Sequence, residues 1–328
     1  MDWQLLDTDR ELWDRELESF VPPRIFDAHA HLYEMGHFTA NPPRLCASGP
    51  AVAGWETFEE RIGQITPRRQ TGGLFFGFPA THVDFAKANE FVATETRRTD
   101  ARGQMLIHPS MDPEFIRATV RRDGFVGLKP YHLFAAEKPT WEAAIPSYLP
   151  EAHVRIAHEL GLSITLHIVR ARALADESNQ TVLRTYAERY PNARLILAHA
   201  GRGFNPHHTI VGIETLRGLP NIWCDTSAVT DCGAFEAIIR TFGHRRLLYG
   251  SDFPVSHIRG RCVALGDSFL WLNPENTKLD AAYAKLQFSL VGLESLRTLK
   301  VAALATGLTD PQVEDIFFGN AARMFDAQ

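Results

Sequence analysis

Two rhythms of hydrophobic and polar positions alternate along the chain. Short apolar runs bounded by turn residues read as strands, and longer stretches with apolar positions three and four apart read as helices. The opening pattern, Leu5–Phe20, mixes Leu5, Leu6, Leu12 and Trp13 with charges and predicts a helix, which Pro22-Pro23 stops. A first strand, Arg24–Leu32, follows. The stretch from Glu34 to Pro50 is rich in Pro, Gly and Asn and has no period, and a short helix, Trp55–Ile65, closes it. Beyond it the alternation is regular. Gly73–Phe78, Gln104–His108, Gly124–Tyr131, Ser163–Val169, Ala193–Ala200, Asn221–Thr226 and Arg246–Phe253 read as strands. Val83–Arg98, Pro113–Arg122, Pro150–Leu160, Ala171–Tyr190, Pro206–Gly218 and Gly233–Phe242 read as helices between them. The tail reads as a loop, Ser256–Leu279, and two helices, Ala281–Thr306 and Pro311–Phe325.

Eight strands, each leading into a helix or a loop and helix, predict a parallel sheet with right-handed crossovers. That number argues for an α/β fold of the closed (β/α)8 TIM-barrel kind, with an N-terminal helix and a C-terminal helical extension. No G-x-G-x-x-G follows the first strand, which counts against a dinucleotide fold. A chain of 328 residues fits one barrel domain: an N-terminal helix over 1–23, the barrel core over 24–255, and a loop with helices over 256–328.

Composition narrows the class. Thirty-four basic and 39 acidic residues give a net charge of −5, and the basic ones are scattered, so no nucleic-acid partner is expected. Pairs such as Arg97-Arg98 and Arg121-Arg122 read as solvated helix faces. Cys46, Cys224, Cys232 and Cys262 form no C-x-x-C, which fits a reducing, cytoplasmic setting. The first 20 residues lack the apolar core of a signal peptide. No apolar run approaches the ~20 residues that span a bilayer, so no membrane partner is expected. The N-terminal helix suits packing on the barrel or on a partner subunit, which leaves a homo-oligomer open.

In such a barrel the chemistry sits at the C-terminal ends of the strands. The polar residues there are His29 and His31 on the first strand, Lys129 on the fourth, His167 on the fifth, His199 on the sixth and Asp252 on the eighth. His29 and His31 are two apart, so both imidazoles project from one face. His167 and His199 are 32 residues apart, about one βα unit. A lone histidine in an apolar strand is more often a satisfied core residue, and an Asp after Gly-Ser is often a helix cap. Four histidines and an aspartate at matching strand positions are harder to explain separately. Buried without partners they would be costly, and one shared cation on the barrel axis would satisfy them all. Nitrogen-rich ligands with one carboxylate suit zinc, with manganese or another transition metal as alternatives.

These motifs resemble a known family. Asp27-Ala28-His29-Ala30-His31, His167, Ala198-His199-Ala200-Gly201 and Leu248-Tyr249-Gly250-Ser251-Asp252-Phe253-Pro254 are similar to the amidohydrolase superfamily, most of all to its amidohydrolase-related branch. The closing Ile316–Phe325 resembles that branch as well, so the likeness runs from about residue 24 to 326. The branch holds lactonases, other hydrolases, hydratases and non-oxidative decarboxylases. The resemblance implies that His29, His31, His167 and Asp252 approach one divalent metal. It implies that Asp252 takes a proton from water and passes it on. It implies that His199 polarises the substrate carbonyl, works as acid or base, or ligates a second metal. Lys129 stands where binuclear relatives carry a carboxylated bridging lysine. Three readings of it compete: a bridge, a cation for a substrate carboxylate, or a structural ion pair.

Tyr131, His132 and Arg202 complete the expected substrate-binding set, with Arg202 placed for an anionic group. Arg170, Arg259 and Arg261 read as ordinary surface charges. Phe269 and Trp271, after the eighth strand, suit a cover over the site or a subunit contact. The long Glu34–Pro50 connection leaves from the histidine end of the first strand and reads as a site wall. The function expected is metal-dependent hydrolysis of a lactone, amide or ester of a small anionic substrate. The runner-up is a metal-dependent lyase, a non-oxidative decarboxylase or hydratase, on the same scaffold. A non-enzymatic metal-binding protein would want a site sealed from solvent. A sugar-phosphate barrel enzyme would want a glycine-rich phosphate loop that Gly250-Ser251-Asp252 does not supply.

Overall fold

The computed structural model describes residues 3–98, 100–278, 280–283 and 286–325. Nine strands form one curled sheet. Eight of them are parallel: β1 (Arg24–Glu34), β3 (Gln70–Gly77), β4 (Ala101–Leu106), β5 (Gly127–Lys129), β6 (Ser163–Leu166), β7 (Arg194–Leu197), β8 (Ile222–Asp225) and β9 (Leu247–Leu248). β2 (Val52–Ala53) is a short antiparallel addition on the outer end of β1. The last strand returns to the first. Ala28 N–H donates to Tyr249 O at 2.8 Å, Asp252 N–H to His29 O at 2.8 Å and His31 N–H to Phe253 O at 2.7 Å. These bonds close the ring, as expected for a (β/α)8 barrel.

Helices and turns alternate with the strands for local reasons. Asp84, Asp112, Asp176 and Asp231 each cap a helix start with a carboxylate that accepts backbone N–H groups. Gly124, Gly161 and Gly307 end helices in the left-handed region. The main core lies between the sheet and the helices. A smaller cluster fills the barrel itself: Phe26, Ala28, Leu74, Ile196 and Leu248, closed from below by Ala321, Met324 and Phe325. The Phe26 and Phe325 rings stack at 5.5 Å. The C-terminal helix is therefore the floor of the barrel.

Several elements differ from the reading of the sequence. The sixth strand ends at Leu197, not Ala200, because His199, Ala200, Gly201 and Arg202 turn left-handed. The tail after Ser256 is not all loop: β10 (Arg261–Leu265) and β11 (Ser268–Leu272) pair as an antiparallel hairpin around Gly266-Asp267. Cys262, Phe269 and Trp271 share its inward face, a two-residue period hidden in a short apolar run. The long helix starts at Val291, not Ala281. Only a short 3-10 turn, Ala281–Tyr283, precedes it, and residues 284 and 285 of the expected span lie outside the described residues. The helix expected over Ala171–Tyr190 begins at Glu177, where Asp176 supplies the cap. The N-terminal helix covers Asp7–Leu17, its second half as a π-turn. Among the described residues no helix is long and apolar enough to cross a membrane.

Candidate metal centre

His29 and His31 leave β1 at a register shift between Asp27 and Ala30, the place where β1 slips against β3. Such a bulge re-aims side chains near a barrel rim. Both rings end inside, 5.3 Å apart between centroids and edge-on to each other. Phe76, from β3, packs in a T-shaped arrangement against each of them at 5.0 and 4.7 Å. Gly250 lets the last strand come this close: a Cβ there would lie 2.9 Å from the His29 Cβ and 3.3 Å from the Ser227 Cβ.

Asp252 faces the pair. Its Oδ1 is 3.4 Å from His29 Nε2 and 3.4 Å from His31 Nε2. One ligand atom from each of the three lies within 4.8 Å of the other two, and all three side chains are buried. His199 joins from the side, with Nδ1 3.9 Å from Asp252 Oδ2. Lys129, wholly buried at the end of β5, places Nζ 3.3 Å from His29 Nε2 and 4.2 Å above the Phe76 ring. Among the described residues no carboxylate comes within ion-pair distance of it, which removes the support for a purely structural ion pair.

The protonation states follow from burial. Burial, reinforced by the Lys129 charge, lowers the His29 pKa, and burial lowers those of His31, His199 and His167. All four imidazoles are therefore neutral near pH 7, the form that ligates metal. Burial works against the Asp252 charge, yet the imidazoles of His199, His29 and His31 hold its carboxyl below the usual value. Burial pulls Lys129 down to about 8 and pushes Asp27, within β1, up to about 7.

Two of these residues sit on strained backbone. His199, Ala200 and Arg202 have φ of 56°, 54° and 60°, and Asp252 has 60°. Each non-glycine residue there costs roughly 1–2 kcal/mol, and such strain gathers at functional sites. The surroundings of the His199 turn over-determine it. His199 N–H donates to Asp225 Oδ1 at 2.8 Å, Gly203 N–H to His199 O at 2.6 Å and Thr209 Oγ1 to Ala200 O at 2.9 Å.

The structure brings His29, His31, His199, Asp252 and Lys129 into one cluster. His167 stands one ring further out: its Nδ1 is 3.0 Å from His199 Nε2 rather than beside the His29–His31–Asp252 group. Tyr131 and His132 line the same side, their rings 5.1 and 5.5 Å from that of His167. Burial, opposed by a bond to Thr140 O, takes His132 down to about 4. Arg202 is half-buried, donates to Arg170 O at 2.8 Å and lies 5.2 Å from the Phe269 ring. Phe204 stacks on His199 at 5.3 Å, and Phe269 and Trp271 of the hairpin pack on Phe204. The hairpin is thus a wall of the site. Arg170 and Arg261 form partly exposed ion pairs with Asp176 and Glu294, whereas Arg259, expected as a surface charge, is largely buried in a pair with the buried Asp9 of the N-terminal helix.

One buried acid went unread in the sequence. Asp225, at the C-terminal end of β8, is fully buried and touches both His29 and the His199 turn. It occupies the strand-end position that singled out Asp252, so the same rule would have found it. His29, His199 and Asp225 form a second group with metal-ligand spacing. There the 2.9 Å between His29 Nδ1 and Asp225 Oδ2 is that of a direct hydrogen bond.

A family model described as "Amidohydrolase" matches residues 26–327. The L-fucono-1,5-lactonase of Burkholderia ambifaria is 27% identical over 213 residues, 58% of this chain and 64% of that protein. The chain thus aligns to a little under two thirds of that relative's length. Among solved structures, an amidohydrolase from Burkholderia multivorans superposes with a TM-score of 0.61 with bound HEPES, at 14% identity, covering 92% of this chain and 99% of that one. Its zinc-bound form gives 0.57 at 15% identity, over 92% and 99%. A probable 2-pyrone-4,6-dicarboxylic acid hydrolase from Acinetobacter baumannii, with citric acid bound, gives 0.58 at 14% identity, over 92% and 99%. At these identities the structural likeness defines the fold.

Proposed function

The chain belongs to the amidohydrolase family, and from that premise we propose that it is a metal-dependent hydrolase of a lactone, amide or ester bond in a small anionic substrate. One observation carries the reading: two neutral imidazoles and an ionised carboxylate converge within 4.8 Å at the C-terminal end of the barrel. His29, His31 and Asp252 would hold the ion; His167, whose Nδ1 lies 3.0 Å from His199 Nε2, would join as a fourth ligand only by turning its ring toward them. Zinc suits this donor set, and manganese or another transition metal fits the same atoms. A divalent ion there lowers the pKa of a water towards neutrality and polarises a carbonyl.

The chain's own residues supply the rest. Asp252, ionised and buried, takes the proton of the attacking water and delivers it to the leaving group. His199 Nδ1 faces the Ser227 carbonyl at 3.0 Å, and a carbonyl only accepts, so Nδ1 carries the hydrogen. Nε2 is then bare, and His199 serves as a proton acceptor or as a ligand rather than as an electrophile. Arg202 binds the substrate's anionic group, with Tyr131 and His132 alongside. Lys129, drawn towards neutrality at about 8, either faces the substrate as a cation or, as the free amine, would add to carbon dioxide with loss of a proton to give a carbamate that could ligate a metal.

The test uses metal-stripped protein reloaded with zinc or manganese and assayed in a pH-stat against a panel of lactones, esters and amides of small acids. Hydrolysis that needs the ion and falls by more than about a hundredfold in Asp252→Asn, a loss of proton transfer worth about 10²–10⁴, supports the reading. Full activity in that variant, or no metal in metal-replete protein, refutes it. Release of carbon dioxide without water incorporation would assign the site to a lyase instead. Two ions per chain favour the bridging Lys129, and one favours the cation.

A further inference from the structure

We propose that Asp225, with Ser227, is the positioning residue of this site: it sets the tautomers of His29 and His199 and holds both rings to one frame. The inference rests on the metal reading above for its consequence, but not for its geometry.

Asp225 closes β8 and is fully buried. Its Oδ2 accepts from His29 Nδ1 at 2.9 Å. Its Oδ1 accepts from three donors: His199 N–H at 2.8 Å, Ser227 N–H at 3.1 Å, and the Ser227 hydroxyl at short range. A carboxylate has only acceptors to offer, so His29 must carry its hydrogen on Nδ1. That leaves the Nε2 lone pair of His29 pointing at Asp252 and Lys129. The Ser227 hydroxyl gives its hydrogen to Asp225, so its oxygen is free to accept. It lies 2.9 Å from His199 Nδ1, beside the Ser227 carbonyl at 3.0 Å. Both point to the hydrogen of His199 on Nδ1 as well.

A local turn explains only part of this. A carboxylate bonded to the N–H two residues on is a common turn device, and it accounts for the Ser227 amide. It does not account for a contact across 196 residues to His29, nor for the backbone amide that opens the left-handed turn at His199. One side chain thus ties the first strand to the sixth. A carboxylate behind a metal-binding imidazole fixes its ring and raises its basicity, and losing such a partner typically weakens metal binding 10–100-fold.

Asp225→Asn separates this role from mere packing. The amide keeps the shape but has one acceptor end. Three donors meet Oδ1 and one meets Oδ2, so the amide oxygen takes the Oδ1 place and its NH₂ faces His29. His29 must then move its hydrogen to Nε2, where the ligand lone pair was.

The experiment is nitrogen NMR of metal-free, full-length protein with ¹⁵N-labelled histidine rings, His29 being assigned by its absence from His29→Gln. A zinc titration against a chromogenic chelator goes with it. In the wild type, Nδ1 of His29 is expected to be protonated and Nε2 bare. Asp225→Asn should swap them and bind zinc 10–100-fold more weakly with an unchanged circular dichroism spectrum. Ser227→Ala should keep the His29 tautomer and lose less affinity. A wild-type His29 protonated on Nε2 overturns the proposal, as does an Asp225→Asn protein that keeps the wild-type tautomer and affinity. If Asp225→Asn does not fold, the wild-type tautomer and Ser227→Ala decide. If the wild type takes up no zinc, the metal reading fails while the tautomer measurement still judges Asp225.

Discussion

Lys129→Met should make the metal-stripped protein more stable while weakening its chemistry. The ammonium of Lys129 is wholly buried, against a neutral imidazole nitrogen at 3.3 Å and the Phe76 ring at 4.2 Å. Burial takes its pKa from 10.5 to about 8, outweighing the attraction of Asp225 and Asp252. A difference of that size corresponds to about 3 kcal/mol against the charged form. The sign follows from proton counting. Between about 8 and 10.5 the unfolded chain binds more protons than the folded one, so wild-type stability rises with pH through that window. Below it the penalty is fully present. Methionine has similar length and no charge, so at pH 7 the variant should gain on the order of 2 kcal/mol, a melting point roughly 3 °C higher. Urea unfolding of both proteins from pH 7 to 10.5 reads the gap directly. It should be widest at pH 7 and close towards pH 10.5. A variant less stable at pH 7, or a gap that does not change with pH, would refute the assignment of Lys129 as a desolvated cation. Lower turnover in the more stable variant would mark the strain as functional.

Asp27 tests the same logic with the opposite slope. Its Oδ1 accepts from His29 and Ser251 N–H groups at 3.1 and 2.8 Å, while Oδ2 has no partner, and burial raises its pKa to about 7. The folded state then holds the proton more tightly, so wild-type stability falls as pH rises from about 4 to 7. Asp27→Asn should gain on the order of 2 kcal/mol relative to wild type between pH 5 and 8, and parallel stability–pH curves would contradict this. Gly201→Ala places a side chain at φ 67° and a Cβ 3.0 Å from Leu174 Cδ2. A loss of about 1–2 kcal/mol is expected, read from the urea midpoint, together with a lower kcat because the His199 turn shifts. An unchanged midpoint would show that the left-handed turn is not under strain.

The barrel was legible in the sequence because each strand is an apolar run short enough to tell from a helix. The strand-end rule then placed His29, His31, Lys129, His199 and Asp252 in what proves to be one cluster. What escaped depended on long-range partners. The left-handed run after Leu197 is held by Asp225 and Thr209, which lie 26 and 9 residues from the groups they hold. The hairpin around Gly266-Asp267 is fixed by Asn205, whose side chain donates to the Gly266 and Ser268 carbonyls. Neither leaves a periodic trace. Asp225 is different: it closes β8 and meets the strand-end rule that singles out Asp252, so it is within reach of the sequence once an acid ending a short strand is not set aside as a turn residue. His167 was legible as a strand-end histidine, but whether its ring faces a metal or His199 is set by rotamer and neighbours, not by spacing.

The most direct test of the central claim is a zinc titration of the metal-stripped chain, alone and with His29→Ala, His31→Ala or Asp252→Ala. The wild type should bind at least one ion per chain. Each variant, with its fold verified by circular dichroism, should lose more than about a hundredfold in affinity, since a direct ligand is worth more than an outer partner's 10–100-fold. A wild type that takes up no ion, or variants that bind as tightly as it does, would contradict a metal centre at His29, His31 and Asp252.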